Sequence, residues 1–373
     1  MRTVRQLIYR DVFWSVFFVA VAFLSLFFFI DFVDEVERVG RNGYTLVFAA
    51  VSALLEQPGH VYELFPIAVL IGTIYSMARL AQSSEYTILR TAGLGPGRAL
   101  GLLATVGVIF GILTFAVGEY VAPHSEQEVA LLKSRFGMGL ALGRTGAWLK
   151  EHRQDPEGLR SITVNVRGVG RAGELDKVRI FEVDESGRLV RSIEADRAVV
   201  SQARDVHEWT LHDAVETRWI ATAASAPPRI DERRMPEMTW PTSLNASVAA
   251  AAVLPIQSMG VFALWDYSTH LLREEQASQR YRQQFWKRVL YPFTCLVMVA
   301  LALPFAYLNA RSGGVSVKVF GGVMLGISFV LLNNVAGHLG LLHDWTPWIA
   351  ASVPSLLYLL LSMSAFAWLV RYR

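Results

Sequence analysis

One cysteine in 373 residues, Cys295, leaves no partner for an intrachain disulfide and no thiolate set for a metal site. Charge is also scarce. Asp, Glu, Lys and Arg make up 18% of the chain, the formal net charge is +3, and the cations lie scattered beside apolar runs. That excludes the basic stripe of a nucleic-acid-binding surface. A phosphate-cradling loop would need G-x-x-x-x-G-K-[ST]. The nearest run, Gly139 to Thr145, is one residue short and has Arg144 where the lysine belongs. No H-E-x-x-H or G-x-S-x-G run occurs, and His124, His207, His212, His338 and His343 are not at metal-ligand spacing. The chain is therefore expected to be no enzyme and to bind no metal or cofactor of its own.

What the sequence has instead is apolar length. Hydrophobic residues reach 53%, above the roughly 45 to 50% usual for soluble domains. A bilayer core about 30 Å thick needs roughly 20 apolar helical residues. Six segments qualify: Val12 to Ile30, Leu64 to Leu80, Ala99 to Val117, Val289 to Leu308, Val319 to Leu342 and Trp348 to Val370. Phe65-Pro66 is expected to open the second, since proline suits a first helical turn. The N-terminal stretch is too long for a signal h-region and lacks a small-x-small cleavage site, so it reads as a retained span. Thr45 to Leu55 is too short to cross, and the alanine-rich Ala246 to Leu254 is broken by Pro255; both read as interfacial or core segments.

Lys and Arg in short loops set orientation. With the N-terminus inside, the cytoplasmic pieces hold Arg2, Arg5, Arg10, then Arg79, Arg90, Arg98, then Arg311 and Lys318, then Arg371 and Arg373. Opposite them, Asp31 to Glu63 carries Arg38 and Arg41 among more acidic residues, and His343 to Pro347 carries no Lys or Arg. Both termini are expected in the cytoplasm. Arg280, Arg282, Lys287 and Arg288 crowd the outer side against this rule, but long translocated domains are governed by it only weakly.

Between the third and fourth spans lies a large outside segment whose middle reads as strand. Ser161 to Val169, Lys177 to Val183, Arg188 to Ile193 and Val206 to Leu211 alternate or cluster β-branched and aromatic residues, with Asp184-Glu185-Ser186-Gly187 as a turn. The expected fold is an α-helical polytopic membrane protein with six transmembrane helices and an inserted antiparallel β domain, as a sandwich, jelly roll or open barrel. Residues 1-122 would hold spans one to three, 123-265 the β domain, and 266-373 a connecting helix and spans four to six.

Ion-driven transporters bury carboxylates in their spans as coupling devices. Here the segments hold no Asp, Glu, Lys or Arg away from their ends, so the energy source is expected on another polypeptide. Asn333, Asn334 and His338 are the notable polar cluster in a span, read either as helix-to-helix hydrogen bonding or as a helix-movement element. In the loop after span two, Ser83 and Ser84 are N-cap types, Glu85 complements a helix dipole, and Gly93 with Pro96 stops the helix. The short helix, about 83-93, is either a plain amphipathic connector or a coupling helix for a cytoplasmic ATPase. In the second case Tyr86, Ile88 and Leu89 are apolar anchors, and Glu85 and Arg90 polar contacts.

Several short runs occur in a telling order: Phe32-Val33-Asp34 after span one, Phe65-Pro66, Ser84-Glu85 through Ala92-Gly93, Gly118-Glu119-Tyr120-Val121-Ala122-Pro123 ending span three, and Gly146, Trp148 and Lys150 entering the β domain. In these the chain resembles the LptF/LptG family of lipopolysaccharide export permeases, its LptG branch more closely. The resemblance covers essentially the whole length. It implies a bacterial inner-membrane protein with a periplasmic β-jellyroll domain, which extracts lipopolysaccharide and passes it to a periplasmic bridge towards the outer membrane. Its implied partners are a paralogous LptF-like permease, an LptB-like ATPase dimer that uses ATP and Mg, and LptC-like and LptA-like β-jellyroll proteins. Glu85 would engage the ATPase, and the first and fifth spans would line lateral gates.

Extracting an acylated lipid forfeits about 0.8 kcal/mol per buried CH₂, so a driven process is required. Outer-side cations are candidates to pair with lipid phosphates: Arg38, Arg41, Lys133 and Arg135, unless they are solvated surface residues. LptG members tend to carry several lysines just past the first span, whereas here only Arg38 matches in charge; Arg41 or the cluster from Arg280 to Arg288 would take over. Rival readings are a permease-like regulatory or mechanotransducing subunit that passes no lipid, and a lipid-modifying enzyme, which lacks a catalytic constellation.

Overall fold

The computed structural model describes residues 2–136, 146–155, 158–169, 174–200, 208–220, 229–242, 244, 248, 256–273, 278–307 and 314–371. Gly139 to Thr145, Arg311 and most of Ala246 to Leu254 lie outside these residues, as does the side chain of Arg135. The chain divides into two compact units, Met1–Met138 with Gln283–Arg373, and Gly139–Arg282. The division falls after the helix that follows the third span, not at its start.

The first unit is helical. It holds α1 (Arg2–Val36), α2 (Leu46–Gln82), α3 (Glu85–Thr91), α4 (Pro96–Ala116), a π-helical turn (Val117–Val121) and α5 (Ala122–Arg135). After the second unit, which contains α6 (Val261–Arg273), come α7 (Gln279–Ala302), α8 (Pro304–Tyr307), α9 (Val315–Leu342) and α10 (Pro347–Arg371). Among the described residues, six helical stretches are long and apolar enough to cross a membrane: Val4–Val36, Leu46–Gln82, Pro96–Ala130, Gln279–Tyr307, Val315–Leu342 and Pro347–Leu369.

These spans outrun the apolar windows, most of all the second. Thr45 to Leu55 is no separate segment: α2 begins at Leu46 and runs for 37 residues, with Pro58 and Pro66 inside it. Phe65-Pro66 is therefore mid-helix and does not open it. Proline is tolerated there because neighbouring helices re-satisfy the freed backbone groups. At 1.5 Å per residue α2 is about 55 Å long, well beyond the hydrocarbon thickness. Its packing on α1 relies on a small side chain, since a Cβ on Gly72 would sit 2.6 Å from the Val16 backbone. Val12, Val16, Val69, Leu70, Ile74 and Met77 share the buried core.

The second unit carries an antiparallel sheet, β1 (Ala147–Asp155), β2 (Gly158–Val169), β3 (Leu175–Val183), β4 (Leu189–Val200), β5 (Glu208–Ile220) and β6 (Arg229–Pro241), in the order β1-β2-β3-β4-β5-β6. The middle strands extend the sequence expectation; β1 and β6 were not read. The 184–187 turn is built by the Asp184 carboxylate, whose Oδ1 accepts from the backbone N–H of Ser186 at 2.9 Å and of Arg188 at 2.8 Å. One face is dry. Register places Leu149, Val164, Ile180, Ile193 and Glu216 in one row across β1 to β5, and all are buried. The next row holds Glu151, Ile162, Glu182, Arg191 and Arg218.

Buried carboxylates on that face are paired. Glu216 Oε1 accepts from Arg191 Nε at 2.5 Å and Arg218 Nε at 2.7 Å, and Glu182 lies 3.4 Å from both Arg160 and Arg191. The end of β6 closes over the face. Thr242 Oγ1 donates to Glu151 Oε2 at 2.7 Å, Arg153 donates to the Pro241 carbonyl, and Trp209 Nε1 donates to the Leu244 carbonyl at 2.9 Å. Burial alone would raise the Glu216 carboxyl, but the two guanidiniums outweigh it and hold it below the usual glutamate range. A carboxyl lower in the folded state adds stability above its unfolded value, about pH 4.3, and loses it as pH falls through the folded one. Thermal melts of the β unit should therefore shift down below about pH 4.5. E216Q should flatten that acid limb while lowering the plateau at neutral pH; an unchanged acid slope would remove Glu216 from the account.

Candidate functional site

Two surfaces of the helical unit hold the sequence-read candidates. On the first, α3 spans Glu85–Thr91. Ser84 occupies the N-cap position but at φ 60 and with no side-chain capping bond, and the Ser83 hydroxyl donates back to the Leu80 carbonyl at 3.3 Å. The expected serine cap is absent because that left-handed backbone turns the hydroxyl away from the first N–H groups. The stop is as read: Gly93 has φ 96, and the Leu94 N–H reaches the Leu89 carbonyl at 3.0 Å.

The five candidate residues on this helix split between two faces. Tyr86 is only 3% exposed, its ring edge-on to Tyr307 at 5.4 Å, and Tyr307 meets Phe366 at 5.7 Å. Leu89 packs on the same core, and the Arg90 guanidinium sits 5.2 Å from the Tyr307 ring centroid. Burial pushes the Tyr86 hydroxyl well above the usual tyrosine range. Glu85, Ile88 and Arg90 are exposed, Ile88 at 64%. Tyr86 and Leu89 thus tie the helix to its own bundle, Arg90 lies over Tyr307 with its charge exposed, and Glu85 and Ile88 form the free face.

On the second surface, α1, α2 and α5 converge on Glu35, which is buried. Lys133 Nζ lies 2.8 Å from Glu35 Oε1 and 2.8 Å from Glu56 Oε1, and Arg38 Nη1 lies 2.6 Å from Glu35 Oε1. The Tyr44 hydroxyl donates to Glu35 Oε2 at 2.9 Å and lies 3.0 Å from Ser52 Oγ. Burial would lower the Lys133 ammonium, but its two carboxylates hold it above the usual lysine range. Two of the four phosphate candidates, Arg38 and Lys133, are thereby offset inside the chain. Arg41, in the turn Arg41–Gly43, is exposed and makes no ion pair with a described residue. Arg135 ends α5.

Sequence reasoning missed two further clusters. Asp31 Oδ2, near the C-terminal end of α1, is 2.8 Å from His60 Nε2 and 3.3 Å from Gln57 Nε2 on α2. Beside it, Phe17, Leu24, His60, Leu64 and Phe65 line an apolar cleft of about 180 Å³ between the two helices. Arg288 is buried on α7; its Nη1 donates to the Gly118 carbonyl at 2.9 Å, and its guanidinium lies 5.2 Å from the Tyr62 ring. The π turn at Val117–Val121 breaks the regular ladder where that carbonyl is taken. Arg280 and Arg282 are exposed and Lys287 half-buried, so the cationic cluster from Arg280 to Arg288 divides into a strut and exposed charges. On α9, Asn334 and His338 are exposed and Asn333 half-buried; His338 Nδ1 lies 2.8 Å from the Asn334 carbonyl of its own helix.

A family model described as lipopolysaccharide export system permease LptF/LptG matches residues 6–371. The chain belongs to the LptF/LptG family. Relatives include the lipopolysaccharide export system permease protein LptG of Escherichia coli K12, 26% identical over 356 residues, covering 95% of each chain. That of Haemophilus influenzae is 24% identical over 363 residues, covering 97% of each. In this LptF/LptG chain the Gly118-to-Pro123 run has a packing reason. A Cβ on Gly118 would stand 2.2 Å from Tyr62 Cδ2, and the Tyr62 ring is itself stacked on Tyr291 at 4.3 Å, so it has nowhere to retreat. Gly118→Ala should cost about 1 to 3 kcal/mol, measured as a lower Tm in detergent; an unchanged Tm would show that the ring moves freely.

Proposed function

We infer that this chain is a permease subunit of a lipopolysaccharide export transporter in the inner membrane. The observation that carries the reading is the LptF/LptG match across residues 6–371, on a chain whose six spans frame an inserted antiparallel β domain. In this reading the chain extracts lipid and hydrolyses nothing. ATP and Mg belong to a separate LptB-like ATPase dimer that docks on α3, with Glu85, Ile88 and Arg90 as its contacts and Tyr86 and Leu89 fixing the helix to the bundle. The other permease is LptF-like, and LptC-like and LptA-like β-jellyroll proteins continue the path. Both termini are cytoplasmic and the β domain periplasmic.

For lipid phosphates, Arg41 with the exposed Arg280 and Arg282 is the favoured set, because a cation without an internal carboxylate is free to form charge-assisted bonds. Arg38 and Lys133 act first as ties between helices. The α9 residues Asn333, Asn334 and His338 remain the candidates for helix movement. Purification from native membranes tests the whole reading. An ATPase and a paralogous permease should come with the chain, and mass spectrometry should find bound lipopolysaccharide. A chain that purifies alone and lipid-free from such membranes overturns it.

A further inference from the structure

Helix α6 lies outside the six spans, and its 13 residues reach only about 20 Å, too short to cross a bilayer. Two of its faces are apolar. Leu264, Tyr267 and Leu271 are buried. Phe262, Trp265 and Leu272 are instead 73%, 57% and 55% exposed. Spaced i, i+3 and i+10, with Thr269 between them, they form one stripe along the helix, turned away from its packed side. Large apolar side chains aligned on one exposed face mark a surface that meets an apolar medium.

Chain continuity identifies the medium. Tyr267 packs edge-on against Tyr281, with ring centroids 4.7 Å apart, and Tyr281 lies in the first turn of α7. The apolar run of the fourth span begins at Val289, eight residues on in the same helix, or about 12 Å along its axis. Side chains reach about 5 to 6 Å from a helix axis, so the Tyr267 to Tyr281 contact holds α6 within reach of the lipid headgroup layer. Phenyl and indole rings favour that layer. Arg280 and Arg282 are exposed at the same height, where lipid phosphates lie.

We propose that α6 is a membrane-surface helix whose Phe262, Trp265 and Leu272 stripe inserts into the headgroup and acyl boundary of the leaflet on the β-domain side. The inference rests on the membrane reading of α7 and not on the cargo, so its test involves neither ATPase nor lipopolysaccharide.

The test uses the full chain in vesicles of phosphatidylethanolamine and phosphatidylglycerol. With the buried Cys295 replaced (C295A), nitroxide labels at F262C, W265C and L272C should collide with oxygen several-fold more than with a water-soluble nickel chelate. A label at E185C, in the exposed β3 to β4 turn, should show the reverse. Nickel access along the stripe equal to that at Glu185, or shielding from both reagents, overturns the proposal, the second result meaning that protein covers the helix. A second measurement keeps Cys295 intact. Shallow-brominated lipids should quench the fluorescence of the unsubstituted chain more than that of W265F; equal quenching would count against insertion.

Discussion

Replacing Ile180 with glutamate is expected to unfold the β domain. Ile180 is fully buried, in a row with Val164 and Ile193, and the segment that closes the sheet face supplies no cation to it. The buried carboxylates on the same face each have an arginine or hydroxyl partner, as Glu182, Glu216 and Glu151 show. A new one without a partner costs on the order of 3 to 5 kcal/mol, against a total domain stability of about 5 to 15 kcal/mol. Limited proteolysis of the purified chain should cut within residues 139–282 far faster than in the unsubstituted protein, while the helical unit stays intact. Unchanged resistance would mean that the face opens readily to water. Packing makes Ile180 a core residue of this sheet face.

The second large effect is expected at Glu85. Because Glu85 is exposed, Glu85→Arg should leave the fold within about 0.5 kcal/mol of the original. Reversing a charge at a docking contact costs about 2 to 5 kcal/mol, or roughly thirty-fold to several thousand-fold in affinity. The ATPase should therefore be lost from the purified complex, or be retained while hydrolysing ATP without releasing lipid. Tyr86→Ala separates the helix's two faces. It empties the contact with Tyr307 and should lower Tm, which Glu85→Arg should not. Full assembly and lipid release in the Glu85→Arg protein would move the docking contact elsewhere.

The spans were legible because a bilayer imposes a length on any helix that crosses it, and no packing information is needed to count apolar residues. Their ends were less so. Phe65-Pro66 read as a helix start, yet α2 begins at Leu46 and continues through Pro58, Gly59 and Pro66. The central strands were legible from alternation. β6 was not, since Arg229–Pro241 is largely charged and, as an edge strand, needs no apolar row; Trp240 was the one local signal. The short helix α3 was visible in its stop signals, but which side of it meets solvent was not. Tyr86 and Ile88 look alike as apolar anchors until Tyr307 arrives from the far end of the fourth span to cover one of them.

By itself the sequence determined six spans and one inserted β domain. Both follow from local composition and from alternation along the chain. Only the tertiary structure decided which charges are free. Arg38 and Lys133 are held by Glu35, Arg288 by the Gly118 carbonyl, and Arg41, Arg280 and Arg282 are left to solvent. The physical reason is that a charge is neutralised by what comes within about 4 Å of it, and those neighbours lie on helices far away along the chain.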